Sequence, residues 1–344
     1  MNPTPSDSQP ATTSPYASSD ASPAATDVAS YDVVIVGGGA AGLSAALVLG
    51  RARRRVVVVD AGRPRNAPAA HMQGFLGSDG LPPAELLAAG RAEVTGYGAH
   101  LVSGSVSTLT PDACTPAYGR RGFDVHLAEG QVLRARRVLV TTGLKDQIPD
   151  IPGVQERWGR DLLHCPYCHG YEVRDRPLGV LGGTPEALVH AHIVRQWSSD
   201  VVYFTNGGTL TASEREQLVA RAIGIVDEPV ARLVVEDDRL TGVKLTSGAV
   251  VPRAAVFVRP TFVANDQLLT DLGCATATNG WVSVDATGAT SVPGVWAAGN
   301  ATNPRAQVIT AAGEGSAAAI AINNDLVTED IPIAVANFRL GFPT

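Results

Sequence analysis

The chain has 344 residues, 45% hydrophobic and 17% charged, with a formal net charge of -6. That length suits two domains with sizeable cores, and the acidic balance excludes a nucleic-acid partner held through its phosphates. No run of about 18 apolar residues marks a membrane span, and the start of the chain has neither the basic residues nor the apolar core of a secretory signal, so the expected location is the cytoplasm.

Residues 1–30 are mostly Ser, Thr, Pro, Ala and Asp with little to bury, and read as a disordered tail. From Tyr31 a β-branched run turns on Gly37, Gly39 and Gly42 and continues as an apolar helix. This is Gly-x-Gly-x-x-Gly in strand-turn-helix context: the first glycine permits the tight turn, the second lets backbone approach a pyrophosphate, the third lets helix pack on strand. The next strand ends in Asp60, placed to accept hydrogen bonds from an adenosine ribose. A Pro- and Gly-rich stretch with Arg65, Asn66, His71 and Asp79 follows. It reads either as a cofactor-lining loop or as a solvated connection. A helix is predicted near 82–96 and strands near 100–108 and 123–134, with Cys114 and His126 read as structural. Arg137 to Gly143 is a buried strand ending in Thr142-Gly143, and a proline-bounded link at 148–153 opens a new unit.

That unit carries His164-Cys165-Pro166-Tyr167-Cys168-His169-Gly170-Tyr171-Glu172. Proline favours the first helical position, so Cys165 becomes an N-cap and Cys168 the third helical residue, close enough for a disulfide across the first turn. Free amides at a helix start lower a thiol pKa and suit it to disulfide exchange. Half of a zinc site is the competing reading, but Cys114 and Cys274 are solitary and the other histidines scattered, so no metal is expected. A structural disulfide is a second, and is rare in a chain without an export signal.

Leu178 to Ala187 repeats the strand-turn-helix layout in damaged form. Thr184 stands where a glycine should let backbone meet a pyrophosphate, Pro185 removes an amide from the helix start, and the strand after it ends at Gly207-Gly208 with neither an arginine nor an acid for a ribose or its 2'-phosphate. Strands are predicted through 239–245 and 250–258, Trp281, Trp296 and Cys274 are read as core, and an Ala/Gly-rich helix follows Gln307.

Together these motifs resemble the thioredoxin reductase-type flavoproteins over about residues 31–330. The resemblance implies an α/β fold of two Rossmann-like three-layer domains: an FAD domain in two pieces, 31–148 and 280–330, an inserted degenerate nicotinamide-type domain at 149–279 carrying the Cys-x-x-Cys, and a C-terminal segment at 331–344. It implies FAD held by Gly37, Gly39, Ala40, Ala41 and Gly42, with Asp60 and Ala61 at the ADP moiety. Arg65, Asn66 and His71 would join from the next loop, Val106 would meet adenine through its backbone, and Thr142 and Gly143 would lie beside the cofactor. Gly299 and Asn300 would face the ribityl chain and phosphate, and Gln307 and Val308 the flavin's pyrimidine edge. Asn300 stands where the family has Asp, keeping the carbonyl and losing the charge.

Thioredoxin reductases usually carry Asp after the second cysteine, where this chain has His169. The His-Cys-x-x-Cys-His-Gly-Tyr-Glu run, with the damaged second turn and Asn303-Pro304-Arg305-Ala306-Gln307, is similar to the FAD-dependent dithiol oxidases of the gliotoxin and holomycin pathways. That likeness implies closure of a disulfide in a small dithiol, with dioxygen as acceptor giving hydrogen peroxide and a homodimer as the assembly. Cys165 would exchange with substrate, Cys168 would face the flavin, His169 would move the proton, and His164 would assist or pack. An NADPH- or ferredoxin-dependent thioredoxin reductase is the alternative.

Overall fold

The computed structural model describes residues 29–111 and 122–341, so all but the end of the expected tail lies outside the described residues, as does Cys114. Ser30, placed in the tail by its composition, already belongs to the first strand.

The first unit opens with β1 (Ser30–Val36), α1 (Ala40–Arg51), β2 (Val56–Asp60), α2 (Pro83–Gly96) and β3 (His100–Ser103). Valine and isoleucine fill β1 and β2, whose centres are buried on both faces as a parallel sheet requires. A meander of β4 (Val106–Pro111), β5 (Phe123–Leu127) and β6 (Val132–Val140) follows. The sheet runs β3-β2-β1-β6-β5-β4, parallel through β6 and antiparallel beyond it.

β7 (Leu144–Gln147) leads into the inserted unit. Its elements are α3 (Val154–Arg157), β8 (Leu162–Leu163), α4 (Pro166–His169), β9 (Leu178–Leu181), α5 (Ala187–Val194), β10 (Val201–Phe204), α6 (Ala212–Ala220) and β11 (Ile223–Val226). β12 (Val230–Glu236), β13 (Arg239–Leu245), β14 (Val250–Pro252) and β15 (Ala255–Val258) complete it. The parallel sheet β11-β10-β9-β15-β8 is packed by α5 and Leu218 of α6 on one face. The antiparallel β12-β13-β14 covers the other through Leu233, Leu240 and Val243.

The chain returns through β16 (Thr261–Ala264), α7 (Gln267–Asp271), β17 (Val295–Ala297) and α8 (Val308–Arg339). β16 pairs antiparallel with β7, so a two-stranded ribbon joins the units. β17 lies parallel to β6, and α1 and α8 cover its sheet around Leu49, Leu139, Ile322 and Leu326. Leu268, Leu269 and Cys274 pack with Val34, Val57 and Leu133, so the return begins near residue 265 rather than 280; their apolar contacts, invisible in order along the chain, decide it. Trp296 is buried as expected, whereas Trp281 is half-exposed because isolated bridges at Thr276 and Val282, not a strand, hold its stretch.

α8 runs unbroken past the expected boundary at 330 and through Pro332. Its far half is fastened by Arg136 and Arg137 of β6: Nη2 of Arg137 donates to Glu329 at 2.6 Å and Nη2 of Arg136 to the same carboxylate at 2.8 Å. Among the described residues no helix is long and apolar enough to cross a membrane.

Candidate active site

The redox helix α4 is a single turn. Pro166 occupies its first position and Cys165 its N-cap, with the Cys165 sulfur accepting the Cys168 amide at 3.2 Å. The two cysteines form a disulfide with their Cα atoms 5.2 Å apart. Gly170 ends the turn for a steric reason: a Cβ there would stand 2.5 Å from the Pro166 carbonyl and 2.7 Å from the Trp197 ring. Tyr167, exposed between the cysteines, rests edge-on against the same Trp197, 5.7 Å between centroids. The motif therefore packs on its own domain, with both cysteines half-buried.

Two histidines flank the pair, both held below the ordinary imidazole pKa by burial. Burial holds His169 below the ordinary imidazole pKa, with the nearby Glu172 carboxylate pulling it back up. His164 is pushed down to about 3, first by burial and then by Arg65, His190 and Arg259, while the Val258 carbonyl works weakly the other way. It is neutral at physiological pH, and its buried Nδ1 has no hydrogen-bond partner. His190, lowered to about 4 chiefly by burial, stands behind it with ring centroids 6.3 Å apart. The Phe262 ring meets His164 edge-on at 5.1 Å.

Across from α4 stands the cofactor cradle. Gly37 has φ +106° and a Cβ there would lie 2.5 Å from the Thr141 carbonyl; one on Gly42 would lie 1.9 Å from the Gly37 carbonyl. Gly39, the N-cap of α1, has open space beside it and no side-chain cap, so the amides of Ala40, Ala41 and Gly42 stay available to an anion. Asp60 ends β2, with its carboxylate 3.2 Å from Arg91, and lines a cavity of about 430 Å³ with Ala61, Ser103, Ser105 and Glu129. Val106 begins the strand just beyond Ser105. Thr142 and Gly143 sit where the chain leaves the first unit: Thr142 Oγ1 donates to the Asn265 carbonyl at 2.6 Å, and the Asn265 amide returns a bond to the Thr142 carbonyl.

At the other wall Gly299, with φ +69°, is held by its amide on Glu314 of α8 at 2.8 Å. Asn300 uses its whole amide: Nδ2 donates to the carbonyls of Asn303 and Ala306, and Oδ1 accepts from Arg65 at 3.2 Å. An aspartate could accept but not donate, which accounts for the residue found here. Gln307 is the N-cap of α8, Val308 its first residue, and Nε2 of Gln307 reaches 3.9 Å from the Cys168 sulfur. Cys168 is thus the sulfur turned toward the cradle.

Of the loop candidates, Arg65 pairs with Asp146 and Asn300, Asn66 lies half-buried beside it, and exposed His71 bonds the Gly80 carbonyl at 3.0 Å. Asp146, Phe262 and Glu314 form part of this arrangement and were not singled out in the sequence. A lone acid at Gly313-Glu314-Gly315, in an otherwise uncharged helix start, was the available signal for the last of them.

The open backbone at Gly39, two helix starts without side-chain caps and the cavity at Asp60 fit FAD along its length, and FAD is the cofactor. A family model described as pyridine nucleotide-disulphide oxidoreductase matches residues 31–315. The crystal structure of HlmI superposes with a TM-score of 0.87 at 56% identity, covering 90% of this chain and 96% of that one. Thioredoxin reductase sirT of Leptosphaeria maculans is 30% identical over 323 residues, 88% of this chain and 96% of its own. Thioredoxin reductase tcpT of Claviceps purpurea is 32% identical over 281 residues, 78% and 86% respectively. The chain belongs to the pyridine nucleotide-disulphide oxidoreductases, as a thioredoxin reductase-like, FAD-dependent thiol:disulfide oxidoreductase.

Proposed function

We propose that the enzyme oxidises a small dithiol to its intramolecular disulfide and delivers the electrons to dioxygen, the overall change being dithiol plus O2 to disulfide plus H2O2. The observation that carries this reading is the state of the second nucleotide crevice, at the C-terminal ends of β9 and β15. Thr184 and Pro185 occupy its turn, α5 begins only at Ala187, and Arg215 on α6 is committed to Asp227 at 2.9 and 3.1 Å. A nicotinamide dinucleotide meets a side chain and a missing amide where its phosphates need open backbone, although Arg259 follows directly after β15. This favours entry of the electrons as thiols over entry from a nicotinamide.

In this reading a substrate thiolate attacks Sγ of Cys165; the Cys165–Cys168 bond breaks and Cys168 leaves as the thiolate. The second substrate thiolate attacks the substrate sulfur of the mixed disulfide, closing the product and releasing Cys165. His169, neutral because it is buried, accepts a thiol proton, and the Cys168 amide donates to the Cys165 sulfur. FAD, when bound, supplies the two-electron acceptor that allows the Cys165–Cys168 disulfide to re-form and passes the pair to dioxygen. Cys168 is oriented for this by Gln307, while His164 packs beside the helix and keeps its neutral ring toward Phe262.

Oxygen uptake with a panel of small dithiols, set against anaerobic addition of NADPH, tests the reading. Rapid flavin bleaching by dithiols, oxygen-dependent turnover and no bleaching by NADPH are expected. Prompt bleaching by NADPH points instead to a thioredoxin reductase; turnover only with reduced ferredoxin points to the other alternative. A homodimer forms part of the proposal, supported by exposed Ile320, Val327, Ile331, Val335 and Phe338 along α8. Sedimentation at about twice the mass of one chain is expected, and a single-chain mass would remove it.

A further inference from the structure

The two units are joined by the ribbon β7–β16, so side chains must fix how closely α4 approaches the cradle. Arg65 is placed to do this. Its Nε and Nη2 each donate to Asp146 on β7 at 2.7 Å, its Nη1 donates to Asn300 in the cradle at 3.2 Å, and its guanidinium lies 5.1 Å from the centre of the Phe262 ring on β16. Phe262 in turn abuts His164, the residue before Cys165, and carries Arg259 at 5.1 Å. Asp146 is buried to the point that 8% of its side chain is exposed, so removing this partner would leave a buried carboxylate without its ion pair. One fork-shaped cation therefore touches the cradle and both strands of the ribbon, which a point-charged lysine has too few fixed donors to reproduce.

We propose that Arg65 is a positioning residue: by tying Asp146, Asn300 and Phe262 together it sets the standing distance of the Cys165–Cys168 helix from the flavin site. The inference rests on the electron path proposed above, because the distance matters only if Cys168 exchanges electrons with the cofactor. A misplacement of about 1 Å is enough to slow such a step by one to two orders of magnitude.

Three variants test it: Arg65→Met, Arg65→Lys and Phe262→Leu. In rapid mixing with dithiothreitol, Arg65→Met is expected to bleach the flavin about tenfold more slowly at saturating dithiol, with the half-saturating concentration unchanged. Arg65→Lys should recover part of that rate. The readout independent of turnover is iodoacetamide alkylation of Cys168 after reduction, which should quicken several-fold in Arg65→Met as the sulfur moves from Gln307. Phe262→Leu keeps the ion pair and removes the ring contact; it should shift both measurements the same way and serves if Arg65→Met does not fold. Unchanged bleaching and alkylation in a folded variant overturn the proposal. If dithiols fail to bleach the wild type, the electron path is wrong, while the alkylation comparison still decides whether Arg65 sets the distance.

Discussion

His169 and His164 stand on either side of one disulfide, yet their surroundings divide the work. A base has to be unprotonated to accept a thiol proton, and burial keeps His169 so below its ordinary range. The acid limb of kcat/KM is therefore expected below pH 6.5, the ordinary imidazole value, rather than at it. His169→Gln should remove that limb and lower kcat/KM by about 100-fold. A limb that persists unchanged in the variant sinks the assignment. His164, held near 3, adds no ionisation between pH 5 and 8, and a profile measured on His164→Gln should keep the wild-type shape. The Cys165–Cys168 disulfide across a helix start was legible from spacing, because Cys-Pro-x-Cys dictates a local geometry, whereas the roles expected of the two histidines came from the family resemblance. The Arg65–Asp146–Asn300 tie was not legible: its members are 81 and 235 positions apart in the chain, and no local pattern marks such a pair.

Helix starts are where this protein meets its cofactor, and small residues allow them to converge. Gly315 of α8 lies so close to α1 that a Cβ on it would stand 2.0 Å from the Ala41 carbonyl, a backbone atom with nowhere to go. Gly315→Ala should force the two helices apart, destabilise the fold by about 2 kcal/mol and raise the fraction of protein purified without flavin. Thermal unfolding together with the ratio of absorbance at 450 nm and 280 nm, roughly the flavin and protein bands, checks both; an unchanged ratio means the contact yields more easily than its geometry suggests. The first glycine turn was readable because strand, turn and helix follow one another directly. Gly315 was not, since its partner helix lies more than 260 residues earlier in the chain. The capping box Thr211/Glu214, a plain Thr-x-x-Glu signature that was not singled out in the sequence, starts α6.

The whole molecule is two three-layer units, and their division followed from the repeated strand-turn-helix pattern, while the order of strands in each sheet is set by pairings that pattern leaves open. The point of return near 265 did not follow from the pattern, because α7 is short and its membership is settled by packing alone. α8 depends on long-range charge. Burial raises Glu329 and Asp330, but the guanidiniums of Arg137 and Arg136, with Arg54 at Asp330, outweigh it and hold both carboxyls below their usual values of 4.5 and 3.8. Their folded pKa values being depressed, the stability they supply is complete above pH 4.5 and is lost as pH falls through the folded values. Arg137→Met should destabilise the protein by about 3 kcal/mol at pH 7 and by progressively less toward pH 3, when followed by urea unfolding. A difference that stays constant across that range contradicts the assignment.

The ribbon of β7 and β16 has a consequence for descent. Strand registers in the two halves are set independently, so mutations can accumulate in the thiol-handling half without shifting the frame that serves the flavin. Which sulfur compound is accepted and where its electrons end can diverge separately within one lineage, provided a few residues such as Arg65 keep the halves in step.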